Sequence, residues 1–112
     1  MSAAHAWQRL AGLSGAASVA FGAYGAHGFK PEKESSKQVF ETGNKYHLIH
    51  SVLLATAPLS KRPNVFGALC SFGILGFSGS CYAAALTEDR TYGKLAPVGG
   101  FSLIGAWLVL LL

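Results

Sequence analysis

Two histidines, His47 and His50, have the widest chemistry open to them in this chain. They lie three apart in FETGNKYHLIHSVLL (Phe40 to Leu54), a spacing that makes them neighbours on one face of an α-helix. Glu41 and Asn44 lie upstream in the same segment, and His27 closes the preceding apolar run. If those two segments form an antiparallel hairpin, His27, Glu41, Asn44, His47 and His50 become one polar cluster at one membrane boundary. Such a cluster could ligate a metal or haem, relay protons, or hydrogen-bond neighbouring helices. Zinc wants a tight ligand set, and no cysteine or carboxylate is placed to complete one around the histidines. The expectation is therefore no metal and no cofactor, with haem or metal at His47/His50 as the alternative.

The remaining reactive residues add no complete motif. Cys70 and Cys81 are eleven apart, a rise of about 16 Å on a straight helix, whereas a disulfide needs Cα atoms within about 7 Å. No Cys-x-x-Cys, nucleophile elbow or P-loop occurs. The glycines of GAYGAHG follow a helix rather than a strand, which argues against a nucleotide loop. No catalytic residue is assigned, and the sequence leans away from an enzyme.

These side chains must be positioned by elements that composition places in lipid. Of 112 residues, 51% are hydrophobic and only 12% charged, against about 25% charged in soluble domains. The net charge of +4 is scattered through short gaps between apolar runs. That is the pattern of membrane-helix flanks and not of a nucleic-acid patch. The expected architecture is all-α, an integral, multi-pass membrane protein of one domain. It has four antiparallel transmembrane helices at about 10–29, 39–59, 65–86 and 95–112, with a polar loop over 30–38. Within that loop Ser35 or Ser36 is a candidate helix cap. A cleaved signal peptide ending near Gly25 and Ala26 is the rival reading of the first run.

Small residues supply candidate helix-packing faces: Ser14, Ser18, Gly22 and Ala26 in the first run, Gly76 and Ser80 in the third, and Gly99 in the fourth. Helices 1, 3 and 4 are expected to meet through them. Trp7, Tyr24, Tyr46, Tyr82, Tyr92 and Trp107 fall near span ends, as interfacial anchors do. Lysine and arginine are more numerous in the first and third loops, which favours those loops facing the cytoplasm or matrix. No organelle is legible.

The segments GAYGAHG (Gly22 to Gly28), NKYHLIHS (Asn44 to Ser51) and LAPVGG (Leu95 to Gly100), in this order and spacing, resemble the transmembrane protein 256 family. That family includes small bacterial inner-membrane proteins of the YgdD type. The resemblance covers nearly the whole chain and implies a four-helix membrane protein. It brings no reaction, substrate or cofactor. The leading functional expectation is an accessory or assembly protein that acts through helix–helix association, as a homo-oligomer or within a larger membrane complex. The alternative is a small transporter or channel with Glu41, His47 and His50 at its mouth.

Overall fold

The computed structural model describes residues 2–112. Four helices carry the chain: α1 (Ala3–His27), α2 (Glu34–Leu54), α3 (Pro63–Thr87) and α4 (Ala96–Val109). No strand occurs among the described residues. Two 3-10 turns, Ala57–Leu59 and Arg90–Leu95, join α2 to α3 and α3 to α4.

Each helix starts where local chemistry allows it. Ser2 caps α1 by accepting from the backbone N–H of His5. Pro63 and Pro97 sit in the first turns of α3 and α4, where a missing N–H leaves no bond unmade. α2 begins at Glu34, so Ser35 and Ser36 lie inside its first turn and not at its cap. The cap comes from elsewhere: the Glu88 carboxylate accepts from the Lys33 N–H at 2.9 Å. Glu88 itself holds a left-handed backbone, φ 53°, at the end of α3. At the other side of the same loop, the Lys37 ammonium donates to the carbonyls of Gly25 and Phe29, at 2.6 and 3.3 Å. A cation there opposes the negative end of α1.

Successive helices run antiparallel. Gln8 of α1 meets Ala55, Ser14 meets Ser51, and Gly25 meets Phe40. Gly43 of α2 meets Ser78 and Cys81 of α3, while His50 meets Cys70. Leu69 of α3 receives Ser102 of α4, and Gly76 lies against Gly99. α2 and α3 are therefore central, with α1 packed along α2 and α4 along α3. The small-residue stripe of α1 turns to α2 rather than to α4. Near the other end of α1, Trp7 covers Gly67 of α3.

At Gly99, an added Cβ would overlap the Phe77 nitrogen and the backbone of Gly76. Beside this close approach α3 widens into a π-helical turn, Ile74–Ser78. The bundle measures 45 × 25 × 18 Å.

The distribution of polarity is inverted relative to a soluble bundle. His47, His50, Ser18, Ser51 and Ser78 are buried, whereas Leu13 (70%), Leu75 (74%) and Phe101 (72%) are largely exposed. α3 is the one helix among the described residues that by itself is long and apolar enough to cross a membrane. α1 is diluted by Gly, Ala and Ser, α2 carries Glu34, Lys37, Glu41 and Lys45, and α4 has only 14 residues. The chain continues beyond α4 in hydrogen-bonded turns to Leu112.

Candidate functional site

The polar side chains of α1, α2 and α3 converge on His47. Its Nδ1 lies 2.9 Å from the Tyr82 hydroxyl and its Nε2 3.1 Å from Ser14 Oγ. Ser14 Oγ is 2.6 Å from Ser51 Oγ, and Ser51 donates to the His47 carbonyl at 2.7 Å. Asn44 Nδ2 donates both to the Ser18 carbonyl and to the Tyr82 hydroxyl, at 2.8 and 3.1 Å.

The protons in this network follow by elimination. A carbonyl only accepts, so the Ser51 proton goes to His47 O. Ser14 must then donate to Ser51, and Ser14 Oγ accepts from His47. This puts the imidazole proton on Nε2. Nδ1 is left as the acceptor for the Tyr82 O–H, while the Tyr82 oxygen accepts from Asn44. The result is a single directed chain of donors, Asn44 to Tyr82 to His47 to Ser14 to Ser51, which ends on a backbone carbonyl. No member is left with an unmet donor.

His50 belongs to a different arrangement, facing α4. Its Nδ1 lies 2.7 Å from the Tyr46 carbonyl, which requires a proton on Nδ1. The Trp107 N–H, a donor only, meets Nε2 at 3.1 Å. The two histidines thus adopt opposite tautomers and serve different helix pairs, although they sit three residues apart. The His50 carbonyl also accepts from Cys70 Sγ at 3.3 Å. Cys70 and Cys81 are both free and buried.

The expected five-residue cluster is therefore divided. Asn44 and His47 are joined, and His50 is turned to Trp107. His27 and Glu41 are exposed at the surface, outside both networks. Of the small-residue positions, Ser14 and Ser18 enter the His47 network and Gly22 lies against the Asn44 side chain. Ala26 is exposed, and Gly25 takes the buried place against Phe40. A strict spacing of four gains about 40° per step on a helix of 3.6 residues per turn, so the stripe rotates off the contact. Gly76 and Gly99 face each other, and Ser80 is buried with its hydroxyl returned to the Gly76 carbonyl.

Tyr82, Ser51 and Trp107 were legible only as anchors or as part of an apolar run. The available signal was burial depth: a hydroxyl inside a charge-free span has no water to pair with, so its partner is sought on its own helix backbone or on another helix. No group of three or more His, Cys, Asp or Glu suited to a metal occurs among the described residues.

The fold and site define the class first: an all-helical, four-helix protein that ties its polar side chains to one another inside and turns large apolar ones outward. The chain belongs to the family described as protein of unknown function (DUF423), whose model matches residues 21–100. It is similar to a UPF0382 membrane protein of Staphylococcus saprophyticus, 38% identical over 110 residues, covering 92% of this chain and 91% of that one. A UPF0382 membrane protein of Haemophilus influenzae is 36% identical over 107 residues, covering 90% and 86%. YwdK of Bacillus subtilis, also a UPF0382 membrane protein, is 32% identical over 98 residues, covering 81% and 78%. No solved structure matches the chain. The chain is a membrane protein of a family without an established biochemical role.

Proposed function

We infer that the chain is a multi-pass membrane protein, with all four helices in the bilayer, that acts by association as an accessory or assembly subunit. The observation that carries this reading is an interior in which, among the described residues, every buried side-chain nitrogen and oxygen except Ser71 Oγ is hydrogen-bonded, combined with the apolar exterior. His47 spends both ring nitrogens on neighbouring helices, and His50 spends one on Trp107 of α4 and one on the Tyr46 carbonyl of its own helix, while Leu13, Val52, Phe72, Leu75, Phe101 and Leu111 project outward. A soluble protein rarely exposes so many large apolar side chains. In lipid it is the expected surface.

The same observation argues against a cofactor at the histidine pair, because a metal or haem would have to displace an existing hydrogen bond from each ring. It also argues against a transport site there, since Glu41 lies apart from both histidines. α1 is retained in this reading, because removing it would leave the His47 Nε2–H and one Asn44 N–H without acceptors. Within the family, the motifs around Gly22–Gly28, Asn44–Ser51 and Leu95–Gly100 support the finer kinship with transmembrane protein 256.

The test is the molar mass of the purified protein in mild detergent and its migration from native membranes. Association predicts a mass above that of the 11.7 kDa chain, or a stable larger complex. A single chain under both conditions, combined with solute flux into vesicles that His47→Ala abolishes, would replace this reading with a transporter.

A further inference from the structure

We propose that the polar cavity between the start of α2 and the α3–α4 connection binds a phosphoethanolamine group, with the phosphate at Arg90 and Ser35 and the primary ammonium at Glu88 and Asp89. The site lies at the loop end of the bundle, apart from the His47 and His50 networks. The cavity is about 300 Å³ and is lined by Lys33, Ser35, Ser36, Glu88, Asp89 and Arg90. That is the small end of the range for ligand pockets, suited to a headgroup rather than a whole lipid. A second cavity of about 250 Å³ shares Ser35, Val39 and Arg90 with it and runs on past Gln38 to Thr42 and Cys81. Ser35 to Thr42 is about 10 Å of helix rise, directed toward the middle of the bundle. A head in the first cavity therefore has a path along which an ester stem reaches the bilayer.

The cavity holds two cations and two carboxylates, yet no side-chain nitrogen of Lys33 or Arg90 comes within 4.0 Å of either carboxylate. The acids are tied in place. Glu88 accepts from the Lys33 N–H and Asp89 from the Thr91 N–H, both at 2.9 Å. A carboxylate offers about four lone-pair sites, so each keeps acceptor capacity to spare. Lys33 Nζ spends one donor on the Glu88 carbonyl at 3.2 Å. The Arg90 guanidinium and the Ser35 hydroxyl make no hydrogen bond among the described residues. Opposite charges held apart across one cavity select a ligand that carries both signs. A purely anionic head would meet Glu88 and Asp89, and a metal cation would meet Lys33 and Arg90. Carboxylates need N–H donors, which a primary ammonium has and a trimethylammonium lacks. Among the described residues no aromatic side chain lines the cavity to hold the latter. A guanidinium beside two serine hydroxyls offers donors on several sides, which suits a tetrahedral phosphate. An ammonium and a phosphate on one short stem is phosphoethanolamine, supplied by a phospholipid head or by the free ester.

Thermal unfolding in detergent reads binding, because a ligand of the folded state raises the melting temperature. The probes are the dihexanoyl forms of phosphatidylethanolamine, phosphatidylcholine and phosphatidylglycerol, with O-phosphoethanolamine beside them. The expected result is a rise with phosphatidylethanolamine that the choline and glycerol lipids do not give. Arg90 is exposed and makes no bond to the chain, so Arg90→Gln leaves the fold intact. It should raise the half-saturating concentration about ten-fold. Asp89→Asn, which keeps an oxygen for the Thr91 N–H, should erase the preference over phosphatidylglycerol. A rise with O-phosphoethanolamine as well would support the site with the affinity in the head, open to a soluble ligand. A rise with the lipid alone would support it as a membrane-lipid site. Equal rises with all three lipids would mean an effect of added amphiphile and overturn the proposal. No rise with any probe, or a response unchanged in Arg90→Gln, would overturn it too. A stronger rise with phosphatidylglycerol would make the cavity a plain cationic patch and overturn it as well.

Discussion

His47 owes its position to partners on three helices, and the direction of its hydrogen bonds is a testable property. Nitrogen chemical shifts should place the ring proton on Nε2 in His47 and on Nδ1 in His50. The reverse assignment at either residue would break the network as derived. Tyr82→Phe removes the bond to His47 and strands an Asn44 N–H, so it should lower stability by about 1–2 kcal/mol, read from thermal unfolding in detergent. His47→Ala should cost more, about 2–4 kcal/mol, because it also leaves a cavity. Combined, the two should cost less than their sum, since both break the Tyr82–His47 bond. In the sequence, the importance of Asn44 and His47 was legible from polarity inside an apolar segment. Their separation from His27 and Glu41 was not. Residues three apart differ by about 60° around a helix, and only the placement of α1, α3 and α4 decides what each one faces.

Among the elements, α3 and α4 depend on glycine at their crossing. Gly99→Ala should destabilise strongly, by about 2–4 kcal/mol, because the new methyl meets the backbone at Gly76 and Phe77, which cannot rotate away. Gly12→Ala is the matched control: a Cβ there meets nothing within 4 Å, so helix propensity should make it neutral or stabilising by about 0.5–1 kcal/mol. Thermal unfolding of the two variants checks both. The loop clasp belongs to the same scale. Glu88 is held below the usual carboxylate range, chiefly by the Lys33 N–H, with further hydrogen bonds from Glu32 and Ser36. A depressed folded-state value means its contribution is present above the unfolded value and lost as pH falls through the folded one. Wild type should therefore exceed Glu88→Gln in thermal stability at neutral pH, and the difference should shrink as pH falls below the ordinary glutamate value of about 4.3. A difference unchanged by acid would mean that the charge on Glu88 plays no part. The four helices were readable from apolar runs and from their polar gaps. The Glu88 cap was not, because it joins residues 55 apart in sequence and no local pattern marks it. The π turn in α3 likewise arises beside a tertiary close approach.

At the scale of the whole molecule, the claim is that these four helices cross the bilayer with their polar groups turned inward. Composition pointed to a membrane protein, yet among the described residues only α3 meets the length and hydropathy of a span on its own. The other three would depend on burial of their polar side chains against one another. The fold fixes which segments must share a side: the α2–α3 turn lies at one end of the bundle, and the α1–α2 and α3–α4 connections lie at the other. The most direct measurement is labelling of single cysteines by a membrane-impermeant maleimide, in a Cys70→Ala, Cys81→Ala background. Lys61→Cys should label from one side of sealed vesicles, and Glu32→Cys and Lys94→Cys only from the opposite side. Labelling of all three from the same side would contradict the account and make the bundle a surface-bound protein.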